Sequence, residues 1–390
     1  MTELDALLIL NACPGMTNLA LSKLITYYGT AKEVLKAGKG ELLERRIIKE
    51  KAASKLFDFP QDKFLKKEYN LITKAHVEIL TQKCDSYPDM LREICDAPQV
   101  LYVKGTIPSD HPFMVSIVGS RRASYYGTTV AAKFASDFAQ MGFVVVSGLA
   151  RGIDTAAHKG ALKAGGLTCA VLGSGLARIY PYENAGLFQE ISRNGAVISE
   201  FSMEAEPLPF RFPRRNRIVS GLSCGVVVVE AAARSGALIT ADCALEQGRE
   251  VFAVPGKVDA PTSRGVHNLI KQGAKLACCV EDVTEEFSAR IEDFLSSRKK
   301  EQADQTRSLK DDNCCDDAED SKGAAQHIPL TEVEQKVFSL FGEKPLHIDE
   351  CMMQCALPFH VLNAALLQCE MKGAVEQFPG KIFQKKNLKN

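Results

Sequence analysis

Three glycine-containing segments of this chain carry residue types that bind phosphate. They follow short apolar runs and read Gly119-Ser-Arg-Arg122, Ser147-Gly-Leu-Ala-Arg-Gly152 and Gly173-Ser-Gly175. Glycine lets a backbone approach a ligand closely, and the free amides at the start of a helix attract an anion. These segments, with Ser120, Gly148 and Gly152 among their residues, are therefore predicted to bind phosphate groups.

Arginines add positive charge to the same prediction. Three lie within the glycine segments: Arg121, Arg122 and Arg151. Four more fall in residues 211–217: Arg211, Arg214, Arg215 and Arg217. Several guanidinium groups on one surface match a polyanionic backbone, and the neighbouring Phe210 and Phe212 can stack on bases. The alternative for residues 211–217 is a solvated loop whose arginines pair with surface carboxylates.

A second candidate phosphate site lies further along the chain. Glu230 ends an apolar run, and Ser235-Gly-Ala-Leu-Ile-Thr240 opens the next helix. The hydroxyls and amides of Ser235, Gly236 and Thr240 are expected to face the same edge as the glycine segments.

Other chemistries have weaker support. Gly119-Ser-Arg-Arg122 departs from the GxGxxG dinucleotide motif, and the chain has neither a GxxxxGK[ST] loop nor a GxSxG elbow. Asp154 and His158, four residues apart, could form an acid–base or metal pair, but Asp154 is also a common helix cap and no third ligand follows. The 13 cysteines lack CxxC spacing. We expect no catalytic residues, metal or cofactor.

The elements that position these residues follow from the apolar pattern. Apolar runs at residues 115–118, 143–146, 168–172, 196–198, 226–229 and 251–254 alternate with helical stretches at residues 127–141, 155–164, 183–193 and 238–247. Continuous apolar runs indicate strands buried on both faces of a parallel sheet. The pattern predicts an α/β fold, a Rossmann-like doubly wound and mostly parallel sheet, with its ligand site at the carboxyl ends of the strands.

Two smaller domains are predicted to flank the sheet domain of residues 81–287. Residues 1–80 have helical apolar spacing and indicate a small helical domain of the SAM or helix-hairpin-helix type. Residues 288–327 are polar and aperiodic, as expected of a flexible linker. Residues 328–390 indicate a winged helix-turn-helix domain, with helices at 331–341, 347–355 and 358–372 and then a β-hairpin.

Composition sets few limits on partners. Lys plus Arg and Asp plus Glu both number 48, so a nucleic-acid site must be a local concentration of basic residues. The N-terminus carries Glu3 and Asp5 where a secretory signal needs positive charge, and no apolar run reaches the ~20 residues of a membrane span. We expect a cytoplasmic protein without a membrane span.

Ordered motifs run through the predicted sheet domain, over residues 87–283. They include Ile117-Val-Gly-Ser-Arg121, Val146-Ser-Gly-Leu-Ala-Arg-Gly-Ile-Asp154, Ala170-Val-Leu-Gly173 with Tyr180-Pro181, Arg215-Asn-Arg-Ile218, Ser235-Gly-Ala-Leu-Ile-Thr240 and Val254-Pro-Gly256. Together they resemble the DprA/Smf family of DNA-processing proteins. The helical N-terminal region and the winged C-terminal domain also fit that family.

The resemblance implies a non-enzymatic protein that binds and protects single-stranded DNA in natural transformation. It implies help in loading the RecA recombinase in place of single-strand-binding protein, and a homodimer formed through the Rossmann-like domain.

The resemblance also assigns site residues. Ser120 and Arg121 would contact phosphate, and Gly148, Arg151 and Gly152 would line the pocket. The wall would consist of Asn216, Arg217, Ser235, Gly236 and Thr240, beside the candidate arginines Arg211 and Arg215. Tyr182 stands where some relatives place a lysine, and it can stack on a base but cannot neutralise a phosphate.

Two other functions remain alternatives. A Rossmann-like enzyme of the LOG group, which hydrolyses nucleoside monophosphates, would need a PGGxGTxxE stretch that the chain lacks. A transcription regulator would read duplex DNA with the winged helix and sense a nucleotide with the sheet domain. The third predicted helix of the winged domain offers Lys372 as its basic residue and also carries Glu370, so both duplex binding and protein contact stay open.

Overall fold

The computed structural model describes residues 1–108 and 113–291 continuously. In the C-terminal region it describes residues 335, 337–341, 346–347, 351, 366, 375–378 and 382–385. The chain divides into two compact units, Met1–Glu301 and Gln302–Asn390. Within the described residues, no helix has both the length and the apolar character needed to cross a membrane.

Six helices precede the sheet of the first unit. They are α1 (Glu3–Ala12), α2 (Asn18–Tyr28), α3 (Ala31–Lys36), α4 (Lys39–Glu44), α5 (Glu50–Phe57) and α6 (Gln61–Ala75). The hydroxyls of Thr2, Thr17 and Thr30 cap the first three helices by accepting hydrogen bonds from first-turn amides. The predicted N-terminal helical region is confirmed.

In the described part of the first unit, nine strands form one sheet. They are β1 (Glu78–Thr81), β2 (Val100–Gly105), β3 (Met114–Val118), β4 (Val144–Ser147), β5 (Thr168–Val171), β6 (Gly195–Ser199), β7 (Gly225–Val228), β8 (Glu250–Ala253) and β9 (Lys275–Leu276). Their order is β1-β2-β6-β5-β4-β3-β7-β8-β9. Strand β2 pairs antiparallel with β1 and β6, and all other pairs are parallel. The predicted mostly parallel, Rossmann-like sheet is confirmed.

Both faces of this sheet are buried, which explains the continuous apolar runs. Val226 and Val228 lie in one core cluster, whereas Val227 between them lies in the cluster on the opposite face. The helices of this region are α7 (Asp89–Arg92), α8 (Tyr125–Gln140), α9 (Ile153–Lys163), α10 (Ala185–Arg193), α11 (Arg211–Gly221), α12 (Gly236–Glu246), α13 (Arg264–Lys271) and α14 (Glu281–Thr284).

Residues 211–217, for which a solvated loop was the alternative prediction, belong to helix α11. The alternative of a solvated loop is wrong, because these residues form the first two turns of α11 and Arg215, Asn216 and Arg217 are buried. Pro213 is tolerated there because first-turn amides have no partner within the helix.

The helical N-terminal region shares its core with the sheet. Leu8, Leu21 and Leu24 lie in the same apolar cluster as Tyr102 of β2 and Val197 of β6. Strand β1 begins at Glu78, so the domain boundary predicted at residue 80 falls inside this strand.

Asn18 of α2 forms hydrogen bonds between the helical region and the segment before β2. Its Nδ2 donates to the carbonyl oxygen of Ala97 and to Oδ1 of Asp96, both at 2.7 Å. Its Oδ1 accepts from the amide of Gln99 at 3.0 Å. Asn18 therefore fixes the segment that leads into β2.

The described residues of the second unit contain a small antiparallel sheet. It consists of β10 (Leu346–His347), β11 (Val375–Phe378) and β12 (Ile382–Lys385), in the order β10-β12-β11. The predicted hairpin is confirmed. The helix predicted from residue 347 is wrong at His347, which pairs with Ile382 as part of β10.

Parts of the remaining predictions lie outside the described residues. These are the linker from residue 292 onward, most of the helices predicted at 347–355 and 358–372, and residues 331–334 and 336 of the helix predicted at 331–341. Residues 288–291, which begin the predicted linker, are helical, and Ile291 packs against the sheet core.

We predict that Asn18→Ala lowers the free energy of unfolding by about 1–3 kcal/mol, because it leaves buried hydrogen-bonding groups unsatisfied. Urea unfolding of the full chain measures the change. The exposed Asn268 in α13 provides the control, since Asn268→Ala is expected to stay within about 0.5 kcal/mol. Equal effects of both substitutions would contradict the role given to Asn18.

Candidate nucleic-acid interface

A cleft opens at the carboxyl ends of the parallel strands. It has a volume of about 750 Å³ and is bounded by the loops after β3, β4 and β7 and by residues of α11 and α12. Eight predicted site residues line it: Ser120, Arg121, Gly148, Arg215, Asn216, Ser235, Gly236 and Thr240. We call it the carboxyl-edge cleft. A smaller hollow of about 280 Å³ shares Arg121, Tyr180 and Phe212 with the cleft and is also lined by Arg151.

Arg121 is one of two exposed cations of this cleft, the other being Arg122. Its Cζ lies 4.9 Å from the ring centroid of Phe212, and the rings of Phe212 and Tyr180 lie 5.7 Å apart. Arg121 forms no ion pair with any carboxylate of the described chain. A free positive charge therefore lies beside two aromatic rings.

Arg215 is a buried cation in the same cleft. Its guanidinium donates to the carbonyl oxygen of Val171 and lies near Asp154, while its Nε has no hydrogen-bond partner in the described structure. Burial lowers the pKa of Arg215 to about 10, against the opposite effect of Asp154, so the group stays charged at neutral pH. Gly148 makes room for it, because a Cβ at position 148 would overlap the guanidinium.

Ser120 is held by the backbone around it. Its amide donates to the carbonyl oxygen of Glu230 at 2.7 Å, and its hydroxyl accepts from the amide of Arg122 at 3.1 Å. Gly152 has φ +75°, and a Cβ there would overlap the carbonyl oxygen of Ser120. Gly152 therefore shapes the loop without lining the cleft.

Two helices, α8 and α12, begin at this edge, and they differ in whether a protein carboxylate occupies the helix start. At α12 the Ser235 hydroxyl accepts from the amide of Ala237 at 3.3 Å, and Gly236 has open space beside it. At α8 the start is filled by Glu230, whose carboxylate accepts from the Ser124 amide at 2.9 Å and the Ser124 hydroxyl at 2.5 Å. Of these two helix starts, only that of α12 has open space for an anion from outside.

Asp154 and His158 are engaged inside the protein. The Asp154 carboxylate accepts from the Ala150 amide at 3.3 Å, and burial raises its pKa against the effect of Arg215. The Nδ1 of His158 lies 2.7 Å from the Thr168 hydroxyl. Burial, and then the Arg215 charge, lower the pKa of His158 to about 3, so its ring is neutral at physiological pH. Both residues thus have structural contacts, but the capping role suggested for Asp154 is wrong, because Gly152 is the N-cap of α9 and Asp154 lies in its first turn.

Three predicted arginines lie outside the carboxyl-edge cleft. Arg151 pairs with Glu183, with Nη2 and Oε2 3.0 Å apart. Arg211 has its Cζ 5.1 Å from the ring centroid of Phe201. Arg217 is buried, and its guanidinium lies 2.7 Å from Oε2 of Glu200 and 2.9 Å from Oδ2 of Asp96. The expectation that Arg217 offers a free fork to phosphate is thereby corrected, because its donors meet two carboxylates of the protein.

Thr262 lines the cleft but is not among the site residues predicted from the sequence. It lies in the loop after β8, and the order of the strands could have predicted its position. Because β8 is parallel to β7, the loop that follows β8 must reach the same edge of the sheet.

The fold and the cleft together define a Rossmann-like α/β protein with a cationic cleft at the carboxyl edge of its sheet. Comparison with known families agrees, since the model of DNA recombination-mediator protein A matches residues 78–288 and that of the DprA winged helix domain matches residues 322–381. The chain belongs to the DprA/Smf family.

Relatives extend this assignment along the chain. Protein Smf of Escherichia coli is 43% identical over 245 residues, which are 63% of this chain and 65% of that protein, slightly less than two thirds of its length. DNA processing protein DprA of Streptococcus pneumoniae is 47% identical over 52% of this chain and 72% of its own length. Protein Smf of Synechocystis is 35% identical over 79% of this chain and 80% of its own length.

Two solved structures resemble the fold. The crystal structure of Streptococcus pneumoniae DprA has a TM-score of 0.62 and 37% identity, and the match covers 73% of this chain and 98% of that one. The Helicobacter pylori protein, whose structure is described for a single-stranded DNA binding mode, has a TM-score of 0.50 and 29% identity over 55% of this chain and 98% of its own.

We predict that Gly148→Ala lowers the free energy of unfolding by about 1–3 kcal/mol, because the added methyl group displaces the Arg215 guanidinium. Gly236→Ala adds the same methyl group in open space and is expected to change stability by less than about 1 kcal/mol. Urea unfolding of both variants checks the pair. Similar stabilities would show that position 148 is not crowded.

We predict that His158 makes stability depend on pH. Its folded pKa lies below the ~6.5 of an unfolded histidine, so the unfolded chain takes up the proton first as the pH falls. The free energy of unfolding therefore falls below about pH 6.5, and this group contributes up to ~1.4 kcal/mol per pH unit. Urea unfolding of wild type and His158→Gln between about pH 5 and pH 7 measures the contribution.

The control is the exposed His76, since His76→Gln is expected to leave the pH dependence of the wild type unchanged. A wild-type slope in His158→Gln would contradict the burial argument.

Proposed function

We propose that the carboxyl-edge cleft binds single-stranded DNA. The observation that carries the proposal is the group of three cations that line one cleft, buried Arg215 and exposed Arg121 and Arg122. A charge partly removed from water attracts a phosphate more strongly than a solvated one does. The rings of Phe212 and Tyr180 beside Arg121 can stack on unpaired bases, which a duplex does not expose.

Membership of the DprA/Smf family supports the same function. The Helicobacter pylori relative is described by its binding of single-stranded DNA, and its structure is matched over 98% of its length. Tyr182, which is 84% exposed, offers a further ring and directly follows Pro181, which lines the smaller hollow. We extend the proposal to protection of DNA in natural transformation, loading of RecA in place of single-strand-binding protein, a homodimer and a cytoplasmic location, all as the family resemblance implies.

The proposed role is binding without catalysis. The two residues that could have acted as an acid–base pair are held by protein groups, Asp154 by an amide and Arg215, and His158 by Thr168. Release of free base from a nucleoside monophosphate would instead support the LOG-type enzyme.

We predict that Arg121→Gln weakens binding of an oligothymidine about ten-fold, because it removes one charge-assisted phosphate contact. The slope of log K against log salt is expected to shrink by about 0.7, the value for one phosphate of a single strand. Fluorescence anisotropy at several salt concentrations measures both quantities. The exposed Arg193 at the end of α10 is the control, and Arg193→Gln is expected to bind like wild type.

Unchanged affinity in Arg121→Gln would contradict the proposal. Competition between single-stranded and duplex DNA of the same sequence adds a second criterion, with the single strand expected to bind more tightly. A footprint at one discrete duplex site would support the transcription regulator.

A further inference from the structure

A second group of cations lies on loops beside the carboxyl-edge cleft. Arg234 follows β7, and Lys257 and Arg264 follow β8; all three are exposed. None of them forms an ion pair with a carboxylate of the described structure. The same loops carry two acids, exposed Asp259 and buried Glu230, and Glu230 is engaged by Ser124. The balance of exposed charge on these loops is therefore positive.

The two loops are joined to each other and to the cleft. The amide of Gly265, next to Arg264, donates to the carbonyl oxygen of Ala231 at 2.8 Å. Nε2 of His267 lies 3.1 Å from the carbonyl oxygen of Gly256, next to Lys257. Thr262 from the second loop and Ala232 from the first both line the cleft. The cation-bearing loops thus continue the wall of the cleft.

The sheet order gives this continuation a direction. Strands β5, β4, β3, β7 and β8 are consecutive neighbours and parallel, so their carboxyl ends form a row. At about 4.8 Å per strand the row spans roughly 19 Å. Arg121 lies after β3 near its middle, whereas Arg234, Lys257 and Arg264 lie at the β7–β8 end. A polynucleotide crossing the cleft along the row reaches them next.

We propose that Arg234, Lys257 and Arg264 form a second subsite, which binds the phosphates of the same single strand after it leaves the carboxyl-edge cleft. The inference rests on the proposed function and adds the path of the strand to it. A strand long enough to reach both sites gains affinity and salt dependence from the second subsite, and a strand that fills only the cleft does not.

The test compares oligothymidines of about 3 and about 20 nucleotides, lengths that bracket a typical single-strand site. The triple variant R234Q/K257Q/R264Q is expected to bind the short oligonucleotide like wild type and the long one at least about ten-fold more weakly. For the long oligonucleotide its salt slope is expected to shrink by about 2, three phosphates at ~0.7 each.

A matched control removes the same charge from the opposite edge of the sheet. Lys163, Arg193 and Lys271 are exposed last-turn residues of α9, α10 and α13. The variant K163Q/R193Q/K271Q is expected to bind both oligonucleotides like wild type. Thermal unfolding verifies that both triple variants remain folded, as expected for exposed positions.

Equal affinity of the two triple variants for the long oligonucleotide overturns the second subsite. Wild-type affinity that does not rise with length overturns it as well. Neither result bears on the proposed function, which is tested by binding of the short oligonucleotide and by its weakening in Arg121→Gln.

Discussion

The cleft depends on the burial of Arg217. A buried guanidinium is costly unless carboxylates and hydrogen bonds meet it, and Glu200 and Asp96 do so at 2.7 and 2.9 Å. The paired charges fix α11 against the sheet, since the helix cannot shift without leaving a charge unmatched. With α11 fixed, Phe212 and Arg215 take their places in the cleft. A residue that does not line the site thus determines where the site residues lie.

The N-terminal helices take part in this support. Asn18 of α2 holds Asp96, and the side chain of Asn11 in α1 donates to the carbonyl oxygen of Glu200 at 2.8 Å. The helical region therefore holds Asp96 by its carboxylate and Glu200 by its backbone, and these are the two acidic residues that meet Arg217. This region belongs to the framework of the cleft, which explains why it shares a core with the sheet.

The sequence was sufficient for those parts of the structure that depend on local pattern. The six predicted strands occur because apolar runs record burial on both faces, and the glycine segments reach one edge because the strands are parallel. Strands β1, β2 and β9 were not predicted. Strand β2 lies antiparallel between β1 and β6, outside the strand–helix alternation on which the prediction rested.

The roles of the individual arginines were beyond the sequence. Arg215 and Arg217 are two residues apart and equally basic, yet Arg215 lines the cleft and Arg217 does not. The partners that make the difference for Arg217 are 17 and 121 residues away along the chain. No local pattern records such distant carboxylates, and Phe212 and Tyr180 likewise become neighbours only through the fold.

The carboxylate of Glu230 at the start of α8 makes the edge of the sheet electrostatically asymmetric. An incoming polyanion meets an amide-rich helix end already neutralised by the protein on the α8 side, and an unfilled one on the α12 side. The neutralised start of α8 has little attraction left for a further anion, so an anion near these two helix ends is drawn to the start of α12.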